Sequence, residues 1–190
     1  MSHQPNIFAS LTRITDLQTR PFQIAAAERA RWATGDYVVG EVTQTRRTSL
    51  IEVTTGRMTE VAVGDHIVGA LGVRAATLEA GGEGQDIPAE GSMQAMTAAG
   101  IMGCVTSQSP FIPDPVRLQY LGHVRRDGQL VKMRDFVPPL TGGKVALGFP
   151  VLLLIGTSMS SGKTSSAKVI IRRLKRKGLR VVGAKLTGAG

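Results

Sequence analysis

The sequence predicts a chain of two parts: a small β-rich, barrel-like domain over residues 35–138, and an α/β region over residues 147–190 that starts as one βαβ unit of a parallel sheet. Two observations predict this division. Short β-branched segments separated by glycines fill the first part, whereas a continuous apolar segment and then a helical period follow in the second. Between them, residues 139–146 are predicted to be a linker because PPLTGGK, residues 138–144, is rich in proline and glycine.

An N-terminal segment, residues 1–34, precedes the β-rich domain and is predicted to contain one helix. That helix, Pro21–Trp32, opens with a proline, which is favoured in the first turn of a helix. From residue 35 onward, β-branched runs alternate with glycines, which predicts strands and tight turns. One hairpin is predicted around Gly56 and a second at Asp127-Gly128, because Asp-Gly between apolar alternations is a strong hairpin signal.

A short repetition marks the β-rich domain. GDYVVGEV, residues 35–42, and GDHIVGAL, residues 64–71, share a Gly-Asp pair, two hydrophobic residues and a glycine. In such a pair the glycine supplies unusual dihedral angles and the aspartate caps the bend. The repetition is compatible with two halves of a small barrel or with two ordinary turns. No catalytic constellation is recognised in this domain, since no histidine or lysine pairs with Asp36, Asp65 or Glu79 at a telling spacing.

The α/β region contains GTSMSSGKTS, residues 156–165, which has the composition of a phosphate-binding loop. Five residues separate Gly156 from Gly162, one more than in the common Walker A form. In such loops backbone N–H groups and a helix N-terminus surround the phosphates, and Gly162 allows close approach. Lys163 would supply charge to the β- and γ-phosphates, and the Thr164 hydroxyl would ligate Mg²⁺.

The segments around this loop have the order that a phosphate-binding loop requires. An apolar run, residues 151–155, is typical of a buried parallel strand. The helical pattern that follows the loop stops at Gly178, and residues 179–185 are predicted as a second strand. Strand, loop, helix and strand make one right-handed βαβ unit. The sequence therefore predicts the N-terminal part of a P-loop nucleotide-binding domain.

The loop resembles that of dethiobiotin synthetase, which also opens with Gly-Thr, here Gly156-Thr157, and also has five residues before its Gly-Lys-Thr. Lys185 at the end of the second predicted strand resembles the synthetase lysine that faces the reacting phosphate. A related domain family of unknown function is similar in style. Both belong to the dimer-forming SIMIBI branch of P-loop NTPases, with the MinD and ParA ATPases, and the resemblance covers residues 151–190.

The resemblance implies an ATP-dependent phosphoryl-transfer or ligase-type enzyme that activates a carboxylate or similar oxygen nucleophile. Ser158 and Ser160 stand where the synthetase has an aspartate and a glutamate, so the resemblance implies a nucleotide site without fixing the substrate. A nucleotide-gated accessory or switch protein and a basic nucleic-acid-binding protein remain as alternatives. The predicted nucleotide-binding residues are Gly156, Thr157, Ser158, Met159, Ser160, Ser161, Gly162, Lys163, Thr164 and Ser165, with Lys163 and Lys185 as catalytic residues, Thr164 as the magnesium ligand, and ATP or GTP with Mg²⁺ as cofactors.

Only 27 residues follow Lys163, and they include no aspartate or glutamate. A complete nucleotide-hydrolysing site needs a carboxylate that orients Mg²⁺ and a group that positions water. We expect either a truncated chain or a subunit completed by a partner, and truncation is favoured because a lone βαβ unit leaves both sheet edges uncovered. In either case we expect this chain alone to hydrolyse ATP poorly or not at all.

Composition limits the other functions. A single cysteine, Cys104, excludes an intrachain disulfide, and the three histidines lack zinc-site spacing. No segment approaches the roughly 20 apolar residues of a membrane span, and the N-terminus lacks a signal peptide, which predicts a cytoplasmic protein. Much of the net charge of +9 comes from IIRRLKRKGLR, residues 170–180, where a solvated helical face is favoured over a nucleic-acid site because aromatic residues are absent. The expected partners are a nucleotide, an unidentified small-molecule substrate and a second copy of the chain.

Overall fold

The computed structural model of the chain describes residues 6–45, 49–76, 78–139, 147–157 and 161–185. The chain divides into two compact units after Pro138. Among the described residues, short strands dominate the first unit and one α-helix, α1 (Lys163–Arg176), lies in the second. Three 3₁₀ helices span Ser10–Ile14, Arg29–Arg31 and Met133–Phe136. The strands are β1 (Asn6–Phe8), β2 (Gln23–Ala25), β3 (Tyr37–Gln44), β4 (Leu50–Glu52), β5 (Met58–Glu60), β6 (His66–Leu71), β7 (Val73–Arg74), β8 (Ala80–Glu83), β9 (Ser92–Ala95), β10 (Ile101–Gln108), β11 (Val116–Arg126) and β12 (Gln129–Leu130).

Five strands of the first unit pair in a closed ring. β6 pairs with β3, β3 with β11, β11 with β9 and β9 with β10, all antiparallel, and β10 returns to β6 as a parallel pair. β1 joins β6 in parallel, β8 and β7 continue from β10, and β2 and β12 pair with β11. β4 and β5 form a separate hairpin. Because the pairing returns to its starting strand, the ring strands satisfy one another's backbone groups.

The two Gly-Asp segments supply neighbouring strands of this ring. Residues 35–42 lead into β3 and residues 64–71 into β6, and the two strands are antiparallel. Val39 lies opposite Val68, which is its counterpart in the repetition. A local twofold axis therefore passes between these two valines and relates one segment to the other. Of the two interpretations of the repetition, the pairing supports a structural relation between the segments.

The turns that open these two strands have the same structure. Gly35 and Gly64 have φ angles of 88° and 93°, in the left-handed region that glycine adopts readily. The aspartate after each glycine accepts a hydrogen bond from the backbone N–H three residues before it, at 2.9 Å for Asp36 and 2.8 Å for Asp65. The predicted turn chemistry of both Gly-Asp pairs is confirmed.

Both faces of β3 and β6 are buried, and alternate side chains enter different hydrophobic clusters. Val38 and Ile67 belong to the larger cluster, whereas Val39 and Val68 belong to a second one on the opposite face. Burial on both faces explains why these strands are continuously apolar instead of alternating. The largest fully buried side chains are Tyr37, Leu17, Ile51, Ile67, Ile87, Met93, Met102, Leu118 and His123.

The predicted α/β fold class is wrong. The described structure is mostly β-rich with a mixed sheet, and it contains no strand–helix–strand arrangement of a parallel sheet. α1 forms and ends before Gly178, which has a φ of 78°. However, residues 151–155 and 179–185, the two predicted strands, have no strand pairing. A strand is stable only when its backbone groups are paired and its apolar face is covered, and in the second unit Leu152 and Ile155 remain 65% and 85% exposed.

The predicted helix Pro21–Trp32 is also wrong. In its place Gln23–Ala25 form β2, which pairs with β11, and Arg29–Arg31 form a single 3₁₀ turn. Trp32 is buried and its ring lies 4.6 Å from that of Tyr120 on β11. Pairing and packing with a strand about a hundred residues away in sequence outweigh the local preference for helix.

Both predicted hairpin turns are confirmed. Gly56, with a φ of 83°, lies between β4 and β5. Asp127 and Gly128, with φ angles of 50° and 75°, connect β11 to β12. The second arm of the latter hairpin is short, because the chain turns into a 3₁₀ helix at Met133–Phe136.

None of the helices in the described ranges has both the length and the apolar surface that crossing a bilayer takes.

Candidate nucleotide-binding loop

The two ends of the predicted loop meet at the start of α1. Gly156 packs so closely that a Cβ atom on it would overlap Ser161 Oγ and lie 3.0 Å from Cγ and Cδ of Lys163. Lys163 Nζ in turn donates a hydrogen bond to Ser161 Oγ at 2.9 Å. A residue larger than glycine therefore fits at position 156 only if the side chains of Ser161 and Lys163 move. The packing brings the first and last parts of the motif side by side.

The loop leads directly into the N-terminus of a 14-residue helix. Gly162 is the N-cap and adopts a left-handed conformation, with φ 79° and ψ 4°. The bond from Ser166 N–H to the Gly162 carbonyl, at 2.9 Å, is the first of the helix, so the N–H groups of residues 164 and 165 come before it. Such N–H groups have no acceptor within a helix, and Gly162 has no side chain to cap them. An anion at this end would meet these donors and the positive end of the helix dipole.

The side chains of the predicted site are accessible where the structure describes them. Thr157, Ser161, Thr164 and Ser165 are exposed, and Lys163 is half-buried against the loop. Thr164, in the first turn of α1, presents its hydroxyl to solvent at the same end of the helix as residues 161–163. The predicted contacts of Ser158, Met159 and Ser160 lie outside the described residues.

The chain that carries Lys185 runs back along α1. The helix ends with Leu179 N–H bonded to the Leu174 carbonyl at 3.2 Å. Further on, Gly183 approaches Ile171 of the helix, where an added Cβ would lie 2.9 Å from Ile171 Cδ1. Lys185 follows two residues later and is exposed. Its predicted role beside a reacting phosphate stays a prediction.

A metal held by protein groups alone is not found in the part of the chain that the structure describes, where no three His, Cys, Asp or Glu side chains come together. The loop fits a different kind of site. Mg²⁺ commonly keeps several waters and takes one or two protein oxygens together with substrate phosphates. The Thr164 hydroxyl is such an oxygen, so the residues at the loop suit a magnesium ion that arrives with a nucleotide.

A scan against models of protein families and searches among curated proteins and solved structures found no match to this chain.

A buried polar cluster in the first unit is the feature that the sequence did not predict. Asp36 and His123 have no exposed surface, and His123 Nε2 lies 3.6 Å from Asp36 Oδ2. Lys132 Nζ lies 3.3 Å from Asp36 Oδ1, and the Tyr120 hydroxyl lies 2.6 Å from His123 Nδ1. The interpretation that no histidine or lysine pairs with Asp36 is therefore wrong.

Long-range strand register assembles this cluster. His123 lies opposite Val38 in the pairing of β11 with β3, and an isolated bridge joins Asp36 to Lys132. The one local signal was the Gly-Asp repetition, which placed Asp36 at the start of a ring strand. Sequence spacing could not show which residues of a distant strand would face it.

The electrostatics of the cluster favour a structural role. Burial raises the pKa of Asp36, but the neighbouring His123 side chain, the hydrogen bond from Ala33 N–H and the charge of Lys132 together outweigh this and hold the pKa below its ordinary value. Burial raises the pKa of the Tyr120 phenol, so this side chain is a neutral partner of His123 and not an activated nucleophile. The cluster ties the turn at Asp36 to β11 and to the segment after it, and Asp36 and His123 have no exposed surface.

Proposed function

We propose that this chain binds ATP together with Mg²⁺ at the loop and helix start formed by residues 156–165. The observation that carries the proposal is the packing of Gly156 against Ser161 and Lys163 at the N-terminus of α1. It supports a compact loop in which a lysine, a glycine N-cap and a helix N-terminus face one small region. The lysine offers a charge-assisted hydrogen bond to phosphate, the glycine lets a phosphate approach the backbone, and the helix N-terminus offers backbone N–H groups and the positive end of its dipole.

Within this site the side chains have distinct tasks. Lys163 holds the β- and γ-phosphates through its ammonium group, and the N–H groups at the start of α1 donate to phosphate oxygens. Thr164 contributes its hydroxyl to Mg²⁺. Lys163 and Lys185 offset the charge of a migrating phosphoryl group, by resemblance to dethiobiotin synthetase. When a carboxylate that orients Mg²⁺ completes this site, the reaction is an ATP-dependent phosphoryl transfer or ligation on a small molecule; residues 139–190 alone do not supply that carboxylate.

The cellular setting follows from composition. We propose a cytoplasmic location, because a single cysteine suits a reducing compartment. Its partners in this proposal are the nucleotide, a small-molecule substrate and a second copy of the chain.

The proposal is tested by nucleotide binding to the full chain. Isothermal titration with ATP and Mg²⁺ should show binding that Lys163→Ala weakens about 10- to 100-fold, because a hydrogen bond to a charged group contributes about 1.5–3 kcal/mol. Lys177→Ala is the matched control, since this lysine lies beyond the other end of the helix, about 21 Å away. Thr164→Ala should reduce the increase in ATP affinity that Mg²⁺ produces, and it should leave the affinity for ATP without Mg²⁺ unchanged. Equal affinities of the Lys163 and Lys177 variants would refute the assignment of the site.

The use of the nucleotide is tested by its products. Phosphorylation of a small carboxylate or similar oxygen nucleophile, detected by phosphorus NMR, supports the enzyme. ATP-dependent release of a bound partner without such a product identifies a nucleotide-gated switch instead. Competition with GTP decides which base is preferred.

A further inference from the structure

The charge of this chain is strongly segregated. Residues 1–138 contain thirteen lysines and arginines against fourteen aspartates and glutamates, and so are close to neutral. Residues 139–190 contain ten lysines and arginines and no acidic residue. Residues 139–190 therefore carry a charge of +10 and residues 1–138 a charge of −1, which together give the net charge of +9. A surface of one sign on this scale attracts polyanions and raises their rate of association.

Four of these cations form one surface on α1, which we name the basic stripe: Lys168, Arg172, Lys175 and Arg176. They surround Ile171 and line a shallow hollow of about 550 Å³. All four are exposed, and their spacing places them on one face of the helix over about 12 Å of its length.

The basic stripe carries a free-energy penalty that a bound polyanion would remove. Lys168 with Arg172 and Arg172 with Arg176 are like charges four residues apart, and each such pair destabilises a helix. A solvated helical face usually mixes the two signs, so that neighbouring charges attract. Here no carboxylate exists within residues 139–190 to offset them. This distinguishes the stripe from the solvated face that the sequence favoured.

We infer that the basic stripe binds the phosphate backbone of double-helical nucleic acid without reading base sequence. Binding to single strands commonly uses aromatic side chains that stack on bases, and α1 contains none. A helix that lies on an anionic membrane commonly inserts Trp, Phe or Leu, whereas α1 contains no Trp or Phe and its single leucine, Leu174, is half-buried. Phosphate contacts by lysine and arginine need neither feature. The inference is independent of the proposed nucleotide site.

The number of cations fixes the expected salt dependence. Neutralising four phosphates of a duplex gives a slope of about −3 to −4 in a plot of log K against log salt concentration. Between roughly 50 and 200 mM KCl the affinity should then fall on the order of 100-fold. Fluorescence anisotropy of a labelled mixed-sequence DNA duplex with the full chain measures both quantities. Duplexes of different sequence should bind equally.

Two matched sets of substitutions test where binding occurs. Replacing the four cations of the basic stripe by glutamine should make the slope shallower, with a magnitude of about 1 or smaller. Each phosphate contact that is lost lowers the magnitude of the slope by about 0.9. The pair Arg172→Gln and Arg176→Gln should halve it, which keeps the test valid if the fourfold variant folds poorly. Lys163→Ala should leave the slope unchanged, which separates this surface from the nucleotide loop. The control set, which should retain the slope, replaces four exposed arginines of the first unit by glutamine: Arg31, Arg57, Arg117 and Arg134.

Several outcomes would overturn the inference. These are a wild-type slope shallower than about −1, an unchanged slope in the stripe variants, and tighter binding to single-stranded poly(dT) than to the duplex. Binding to phosphatidylserine vesicles at the same salt without binding to the duplex would identify a membrane surface as the partner instead. Circular dichroism of each variant should show unchanged helix content, since glutamine favours helix about as well as lysine and arginine.

Discussion

Replacing Asp36 by asparagine should destabilise the first unit far more than the same change at Asp65. The two aspartates are counterparts across the local twofold axis, and each accepts a backbone N–H at nearly the same distance, 2.9 and 2.8 Å. An asparagine side-chain oxygen can accept that bond at both positions. What differs is the surroundings, because Asp36 is fully buried beside His123 and Lys132 whereas Asp65 is partly exposed.

The magnitude follows from these contacts. Removing one partner of a buried ion pair typically destabilises a protein by about 3–5 kcal/mol. The side chain of Lys132 is 23% exposed, so its ammonium group can turn toward solvent and recover part of this loss. We therefore expect about 2–3 kcal/mol for Asp36→Asn, or a fall in Tm of roughly 5–10 °C. Asp65→Asn should change the free energy of unfolding by less than about 0.5 kcal/mol.

Urea unfolding and thermal melting of both variants at several pH values provide the assay. The pKa of Asp36 is held below its ordinary value of 3.8, so its charge stabilises the fold above that pH and the contribution is lost as pH falls further. The difference between wild type and Asp36→Asn should be constant near neutral pH and shrink below about pH 4. Equal losses for the two variants at pH 7 would refute the view that the buried cluster, and not the turn, is stabilising.

Three further predictions concern other sites. Burial raises the pKa of Tyr37 to about 12, so its contribution is complete below the ordinary phenol pKa of 10 and is lost as pH rises toward 12. Relative to Tyr37→Phe, the wild type should thus lose about 2–3 kcal/mol of unfolding free energy across that interval, and parallel alkaline melting curves would contradict this. Gly156→Ala should weaken ATP binding by up to about tenfold, because the added Cβ would displace the side chains of Ser161 and Lys163. Gly148→Ala, where a Cβ meets no atom within 4 Å, should have no effect in the same titration. Steady ATP turnover by this chain should not exceed that of Lys163→Ala, because residues 139–190 contain no carboxylate to orient Mg²⁺, and turnover well above that control would show the reasoning to be incomplete.

Local features of the fold could be predicted from the sequence. The helix Lys163–Arg176 formed as its apolar and basic periodicity indicated, and the turn at Asp127-Gly128 needed only two residues with suitable dihedral angles. Both depend on interactions within a few residues. The positions of Gly156, Gly162 and Lys163 at the start of α1 likewise follow from the motif.

Features that depend on distant partners could not be predicted. The apolar run at residues 151–155 shows that a segment would gain from burial, but it does not show that a sheet is present to cover it. No local feature of residues 21–32 predicts that Gln23–Ala25 pair with β11. The contact of Asp36 with His123 joins residues 87 positions apart, and only the register of β11 on β3 brings them together.

The pairing of Val39 with Val68 has a consequence beyond stability. Two separate copies of one such segment would pair about a true symmetry axis in the same register. In this respect the two Gly-Asp segments have the geometry of a homodimer fused into a single polypeptide. The relation stops at these two strands, because β11 is antiparallel to β3 whereas β10 is parallel to β6. Within one chain a substitution changes one segment and not its counterpart, so Asp36 can be enclosed with His123 and Lys132 while Asp65 stays near the surface.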